Sequence, residues 1–241
     1  MTGWRARIGN IDPSRGETFT YEFYQIAPKD VVLISTSANL KQLTVAEIER
    51  ALGEYGKAAE RLAWEKVDFI MVGGAPLIAL KGIGSDKEIS ASITAATGIP
   101  AICCFTAVVE ALRTLSVKKV VVATPYRDDV NERHKRFLEA SGFKVTNIKG
   151  IQAERERPAD TANLPLLASY RLAKEAFGEA PESDGILIPC ARWRTASNIE
   201  KLEKDLKVPV ITNTQAIIWA ALKRLHIGEV NPGFGRLFET L

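Results

Sequence analysis

The chain has 241 residues, 46% of them hydrophobic and 25% charged, and its formal net charge is +3. This composition is typical of a globular protein with one α/β domain or two small ones. The small, evenly distributed positive charge fits a small anionic ligand better than a nucleic acid, and no apolar run approaches the roughly 20 residues that a membrane-spanning helix needs.

The N-terminal segment and the cysteines indicate where the protein works. The segment MTGWRARIGNIDPSRGE lacks the apolar centre of a signal peptide. Cys103 and Cys104 are adjacent, and the third cysteine lies far away, which is neither a disulfide framework nor a zinc-ligand spacing. The sequence contains no HExxH, phosphate-binding or GxGxxG motif. We therefore expect a cytoplasmic protein that uses no metal and no cofactor and has no membrane partner.

Strand-like and helix-like segments alternate along the chain. The apolar, β-rich segments are Val31–Ser35, Phe69–Val72, Ala101–Phe105, Val120–Thr124, Phe143–Ile148, Ile186–Ile188 and Val208–Thr212. Several are continuously apolar, as is typical of strands that are covered on both faces. This alternation predicts an α/β fold with parallel sheets between helices, in which ligands bind at the carboxyl ends of the strands.

Helix boundaries can be read between these strands. Capping boxes predict helix starts at Thr44, Ser85 and Ser197, each followed three residues later by a glutamate. A charged helix is predicted over Asp128–Ala140, where Ser141 and Gly142 form a stop signal.

A faint internal repeat divides the chain. FIMVGGAPL, a helix and GIPAICCFTAVVEAL are followed later by GILIPCARW, a helix and KVPVITNTQAIIWAAL. Pro100 and Ala107 are seven residues apart, as are Pro209 and Ala216. Any βαβ unit has a similar pattern, so duplication remains one of two interpretations. If it is real, the loop of Cys190 faces the loop of Gly74 across a cleft.

Cys190 is the first candidate for chemistry. It follows a buried strand and precedes a helix, so peptide dipoles and the nearby Arg192 and Arg194 are expected to lower the pKa of its thiol. Packing is the alternative, because free cysteines are often buried and inert. Cys103 and Cys104 are expected inside a strand, where core packing is the better interpretation.

Other strand ends carry further candidates. Tyr126 could place its hydroxyl in the cleft or cover the core, and Thr106 could contact a ligand or cap a helix. Gly74 could allow close approach of a ligand or simply make a turn. Arg192 and Arg194 could bind a carboxylate or lie in solvent.

The motifs together resemble the aspartate/glutamate racemase superfamily, and most closely its branch of arylmalonate decarboxylases and maleate cis-trans isomerases. The segments that carry the resemblance are VVVATPYRDDVNERHKRFLEASGF, SDGILIPC and the later VPVI run with its helix, within residues 33–225. The resemblance implies two pseudo-symmetric lobes, residues 1–115 with 215–241 and residues 116–214. It also implies an active site between them, no cofactor, a small carboxylate substrate and frequent self-association into homo-oligomers.

The family also implies roles for residues. Its racemases and isomerases carry one cysteine per lobe; Cys190 matches the second, whereas Gly74 occupies the region of the first. Pro13 matches a proline-bearing first loop. A decarboxylase needs only one acid, so the expected reaction is decarboxylation of a malonate-like diacid. Cys190 then protonates an enediolate that Tyr126 and backbone N–H groups near Ala191 stabilise.

One departure leaves alternatives open. Decarboxylases of this branch have Gly-Thr-Ser where this chain has Gly74, Ala75 and Pro76, so hydroxyl donors and one N–H are missing. Arg192 or Arg194 is a candidate replacement, and the CARWRT run is more similar to the isomerases. The alternatives are a maleate-type isomerase with Cys190 as nucleophile, a one-base racemase, and a non-catalytic protein that binds a small acid.

Overall fold

Two four-stranded parallel sheets form the framework of the computed structural model, which describes residues 4–14, 16–42, 44–151 and 158–241. The first sheet has the order β2-β1-β3-β4 and the second the equivalent order β6-β5-β7-β8. The predicted α/β class with two pseudo-symmetric lobes is therefore confirmed. The strands are β1 Ala6–Asp12, β2 Val31–Ser37, β3 Phe69–Val72, β4 Ala101–Cys103, β5 Lys119–Thr124, β6 Lys144–Gly150, β7 Gly185–Ile188 and β8 Val210–Thr212.

Helices cover both sheets. They are α1 Glu17–Ile26, α2 Val45–Gly53, α3 Tyr55–Trp64, α4 Ala75–Lys81, α5 Ser85–Thr97, α6 Cys104–Thr114, α7 Asp128–Ala140, α8 Ala168–Gly178, α9 Ile199–Leu206 and α10 Asn213–Arg224. Short 3₁₀ helices occupy Pro158–Asn163, Ala196–Asn198 and Arg236–Thr240. Within the described ranges, no helix is both long and apolar enough to cross a membrane.

The central strand of the first lobe, β1, is absent from the predicted set. Its sequence ARIGNID places Asn10 and Asp12 among apolar residues, so it lacks the continuous apolar run that marks β3 and β7. Gly9 lets α3 approach closely, because a Cβ there would lie 2.9 Å from a methyl carbon of Leu62. A central strand such as β1, which pairs with a strand on each side, can therefore contain polar residues and still be buried.

The predicted strand Ala101–Phe105 is wrong at its end. β4 stops at Cys103, and Cys104 is the first residue of α6. The apolar run continues across this boundary because α6 is itself largely buried, so hydrophobicity alone could not reveal it. Cys104 consequently lies at the carboxyl edge of the sheet and not inside a strand.

Of the three predicted capping boxes, all of which lie within the described residues, only the one at Thr44 has its expected side-chain hydrogen bond. Thr44 Oγ1 accepts from Glu47 N at 3.4 Å, but the helix that it opens ends at Gly53 and α3 restarts at Tyr55. The other two predicted boxes are wrong. Ser85 Oγ donates to the carbonyls of the preceding turn, and residues 196–198 form a 3₁₀ turn before α9. A reciprocal box lies instead at Thr212 and Gln215, at the start of α10.

Helix α10 connects the lobes. It leaves β8 of the second sheet and packs on α6 and α1 of the first lobe, and its residues from Asn213 to Leu222 are all buried. We propose on this basis the lobe division 1–115 with 215–241 and 116–214.

A buried carboxyl group joins the lobes at a second place. Glu22 of α1 is 2% exposed, and its Oε1 accepts from Thr195 N at 2.6 Å and from Ala196 N at 2.8 Å. Burial raises the pKa of Glu22, while those two N–H groups, Thr214 and the charge of Arg194 oppose the increase. Glu22 thus satisfies two backbone donors of the opposite lobe.

Replacement of Glu22 tests this brace. Glu22→Ala leaves two buried N–H groups unpaired and should lower the free energy of unfolding by about 2–5 kcal/mol. Glu22→Gln keeps a carbonyl acceptor and should lose clearly less. Chemical denaturation of both variants measures the difference. Equal losses of unfolding free energy in the two variants would contradict the role of Glu22 in joining the lobes.

Candidate active site

A cavity of about 570 Å³ lies where the carboxyl ends of both sheets meet. The first lobe supplies the loops after β1 and β3, and the second lobe supplies those after β5 and β7. This is the position expected for a ligand site in open α/β sheets. The cavity brings together most of the residues predicted from the sequence: Pro13, Gly74, Ala75, Tyr126, Cys190, Ala191 and Arg192.

Cys190 has an unusual backbone. It follows Pro189 at the end of β7, with φ +124°, a conformation that favours glycine and costs about 1–3 kcal/mol for other residues. The turn is closed by Trp193 N, which donates to Cys190 O at 3.2 Å. This geometry directs the backbone N–H groups of Arg192 and Trp193 and the Tyr126 hydroxyl toward the sulfur. Retained strain of this kind is typical of functional positions.

The expected direction of the Cys190 pKa is wrong. The Tyr126 hydroxyl, the N–H groups and the Arg192 guanidinium do lower the pKa, as the sequence suggested, but burial raises it by more. Cys190 is 8% exposed, and desolvation penalises the thiolate. The thiol is therefore protonated at neutral pH and suited to donate a proton.

Tyr126 is held by a network at the end of β5. Its N–H donates to Thr124 Oγ1 at 3.1 Å, and Thr124 Oγ1 donates to Asn131 Oδ1 at 2.6 Å. The Tyr126 ring packs on the imidazole of His134, with centroids 5.1 Å apart. His134 is fully buried, and burial lowers its pKa to about 4, so a neutral ring supports Tyr126.

Gly74 occupies the equivalent place after β3. Its φ is +104°, and a Cβ on it would lie 2.6 Å from the Tyr55 hydroxyl, which donates to Gly73 O at 3.0 Å. Both the conformation and the contact disfavour a side chain at this position. The adjoining Ala75 and Pro76 begin α4 and carry no side-chain donor.

Arg192 crosses from the second lobe to the first. Its Nη1 donates to Ser14 O at 3.2 Å and to Ser14 Oγ at 3.0 Å. Gly16 makes room for the guanidinium, because a Cβ there would overlap it. Arg192 therefore places a positive charge at the cavity wall and links the two lobes.

Two predicted site residues lie elsewhere. Thr106 is one turn into α6, where its hydroxyl donates to Asp86 Oδ2 at 2.6 Å. Arg194 Nη2 donates to Leu164 O at 3.4 Å, and its charge lies near Glu22. Neither is among the described residues that line the cavity.

The residues of the cavity wall that were not predicted as site residues include Asn10, Asp12 and Cys104. Asn10 and Asp12 belong to β1, which the sequence did not reveal. Cys104 was placed in a strand, and burial raises the pKa of its thiol well above its ordinary value. The pair of polar residues two apart, followed by Pro13, was the signal for a strand end at β1.

The rest of the wall is mixed. Apolar side chains from the first lobe cover one part of it: Leu40, Val45, Ile48, Leu77 and Leu80. Arg127, Asp129 and Arg133 of the second lobe line another part, and Arg127 Nε lies 3.3 Å from Asp129 Oδ1. No group of three or more His, Cys, Asp or Glu in the described part of the chain is arranged to hold a metal ion.

Comparisons with known proteins identify relatives of the whole chain. The family model described as arylmalonate decarboxylase matches residues 9–238. The arylmalonate decarboxylase of Bordetella bronchiseptica is 32% identical over 238 residues, covering 96% of both chains. A maleate isomerase of Pseudomonas putida is 26% identical over 251 residues, covering 97% of both. A crystal structure of a liganded arylmalonate decarboxylase double mutant has a TM-score of 0.89 and 28% identity, covering 98% of this chain and 100% of that one.

The raised pKa of Cys190 predicts slow alkylation. In the folded protein the rate should become half-maximal at a higher pH than for an ordinary thiol. Tyr126→Phe should slow the reaction further, because it removes a hydrogen bond to the thiolate. Intact-mass mapping over pH measures this, with Cys190→Ser as the blank. Rapid alkylation of Cys190 well below pH 8 would contradict the protonated thiol.

Burial of neutral His134 predicts a loss of stability in acid. Its pKa falls from 6.5 to about 4 in the folded chain, so the unfolded chain binds the proton more tightly. The contribution is full above pH 6.5 and is lost as pH falls toward 4, by roughly 3 kcal/mol in total. Denaturation of wild type and His134→Leu at several pH values measures it. The stability advantage of wild type over His134→Leu should shrink as pH falls. Parallel plots of unfolding free energy against pH would contradict the prediction.

Proposed function

The chain belongs to the arylmalonate decarboxylase family, and on that premise we propose that it removes CO₂ from a small malonate-like diacid. The resemblance drawn from the sequence motifs is confirmed. Membership makes the chain an enzyme, either a lyase or an isomerase, and the reaction is the part proposed. The observation that carries the proposal is the position of Cys190, which is buried at the cavity wall beside the Tyr126 hydroxyl, where burial raises the pKa of its thiol.

Loss of CO₂ is favoured at the apolar part of the wall. A carboxylate beside the side chains of this part of the wall loses its hydration, which is costly for a charged group. CO₂ is neutral and does not have this cost, so its formation relieves an unfavourable burial of charge. The side chains that form this part are Leu40, Val45, Ile48, Leu77 and Leu80. The other carboxylate is retained, within reach of the positive charge of Arg192.

The electron pair of the broken C–C bond then delocalises over the retained carboxylate as an enediolate. Cys190 S–H gives its proton to the α carbon and becomes a thiolate. The Tyr126 hydroxyl and the N–H groups of Arg192 and Trp193 stabilise that thiolate until solvent returns the proton. The net reaction consumes one proton and releases one CO₂, and it needs no cofactor.

The same features weaken the alternatives. A cis-trans isomerase that attacks its substrate through sulfur needs a thiolate, which burial of Cys190 disfavours. A racemase with one thiol on each face needs a second cysteine at the position of Gly74, where the positive φ and the contact with Tyr55 disfavour a side chain; a one-base racemase is tested by experiment below. A proton donor on one wall is sufficient for decarboxylation.

Two cysteines of the same cavity provide a matched test. Cys190→Ser should lower kcat for decarboxylation of 2-aryl- or 2-alkylmalonates by about 10²–10⁴, the usual contribution of a general acid. Cys104→Ser changes the same atom at the opposite wall and should keep most of the activity. CO₂ release and proton NMR in D₂O measure turnover and the site of deuteration.

The outcomes separate the candidate reactions. Turnover of maleate to fumarate without malonate decarboxylation would replace the proposal by isomerisation. Exchange of the α proton of a 2-arylpropionate with racemisation would indicate a racemase. Retained ligand binding and no turnover in wild type would indicate a binding protein.

A further inference from the structure

A buried amide in the first-lobe wall has unused hydrogen-bonding capacity. Asn10 is 1% exposed and lines the cavity. Its Nδ2 finds no acceptor within hydrogen-bond distance among the described residues, although it lies close enough to the Asp12 carboxyl to lower the pKa of that group. Buried polar groups are nearly always paired, and an unpaired one destabilises the folded chain. The position would be better filled by an apolar side chain unless a ligand accepts from Nδ2.

Asp12 lies two residues further along β1. Residues two apart on a strand project from the same face, so both side chains point to the same side of the sheet. The Asp12 carboxyl is partly buried beside Gly73 and lines the cavity. Burial raises the pKa of Asp12 to about 7, against the lowering influence of the Asn10 amide and the Arg192 charge. Near neutral pH it is therefore partly protonated, and the protonated form is a hydrogen-bond donor.

The donors that the relatives' motif provides are missing nearby. Ala75 and Pro76 have no hydroxyl group, and Pro76 has no N–H. The strand β3, whose loop carries them, pairs directly with β1. New donors at the end of β1 are thus placed at the same wall of the cavity.

We propose that Asn10 and Asp12 together bind one carboxylate of the substrate, Asn10 through Nδ2 and Asp12 through its own proton. The site takes a small mono- or dicarboxylic acid and replaces the donors that Ala75 and Pro76 lack. The assignment of the retained carboxylate as its ligand rests on the proposed decarboxylation, whereas carboxylate binding itself does not.

Binding at this site is coupled to a proton. An anion beside Asp12 stabilises its protonated form, so the complex takes up a proton from solvent when the free carboxyl is ionised. Above pH 7, affinity should therefore decline by up to about tenfold per pH unit. Among the described residues, Arg192 from the loop after β7 and Tyr55 from α3 interact electrostatically with Asp12. Arg61 of α3 lines a second cavity with Asp12, and Cys190 lines the main cavity with it.

Calorimetric titration of the full chain with phenylacetate tests the coupling. Titrations at pH 7.5 in two buffers of different ionisation enthalpy give the number of protons taken up. Wild type should take up most of one proton, and Asp12→Asn, which keeps a neutral donor, should take up none. Wild type and Asp12→Asn should bind alike at pH 6, and only wild type should weaken toward pH 8.5.

Asn10→Leu tests the second donor. The variant should bind phenylacetate at least about tenfold more weakly, the usual loss for a hydrogen bond to a charged group. It should also melt at a higher temperature by about 2–4 °C, because it removes an unpaired buried amide. A purely structural Asn10 would show the opposite change in melting temperature. Asn163→Leu, the same substitution at an exposed residue outside the cavity wall, is the control and should bind as wild type does.

The results distinguish this site from the reaction. Binding with proton uptake but no release of CO₂ from malonates would support the site and reject the proposed decarboxylation. Unchanged binding by Asn10→Leu together with no proton uptake in wild type would overturn the site, whatever the reaction. Failure of both phenylacetate and malonate to bind wild type would also overturn it.

Discussion

Burial of titratable side chains around the cleft between the two lobes is the constraint on which the rest of the site depends. Desolvation is the largest influence on the pKa of Cys190, Asp12 and Glu22, which it raises, and on that of His134, which it lowers. In each case the neutral form is favoured. The cavity therefore offers uncharged proton and hydrogen-bond donors, and its fixed positive charge comes from arginine. Because these donors are already neutral and protonated, the site can bind an anion and donate a proton without first taking up a proton.

The two lobes share a backbone plan but not a chemistry. The second residue after β3 and the second after β7 both have positive φ, +104° at Gly74 and +124° at Cys190. Glycine adopts this conformation without strain, whereas cysteine is strained by it. The hydroxyl of Tyr55 further disfavours a side chain at Gly74. In the proposed reaction, the second lobe therefore transfers the proton and the first lobe recognises the substrate.

Much of this could be predicted from the sequence, for identifiable reasons. Buried strands with continuous apolar runs, such as β3 and β7, are visible in hydrophobicity, and their ends located Cys190 and Tyr126. The strand β1 was missed because Asn10 and Asp12 interrupt its apolar pattern. The polar part of the cavity wall, which these two residues form, was therefore not predicted either. Cys104 was misplaced because one apolar run spans a strand and a helix. The predicted direction of the Cys190 pKa was wrong because burial in the folded chain, which no local pattern reveals, outweighs the nearby hydrogen-bond donors and Arg192.

The interruption of β1 is itself informative. Sequences fold well when local pattern, packing and polar pairing agree, and violations concentrate where function requires them. Asn10 violates two of these rules: it is a polar residue in a central strand, and its amide is buried without a partner among the described residues. Glu22 is also a buried polar group, but it accepts two hydrogen bonds from the other lobe, so packing explains it. Among the described residues Asn10 Nδ2 has no acceptor within hydrogen-bond distance, its interaction with Asp12 lies within the same wall, and the residue lines the cavity that Cys190 and Arg192 also line. Asn10 is thus the residue that obscures β1 in the sequence, and the proposed binding of a carboxylic acid gives a reason for its buried amide.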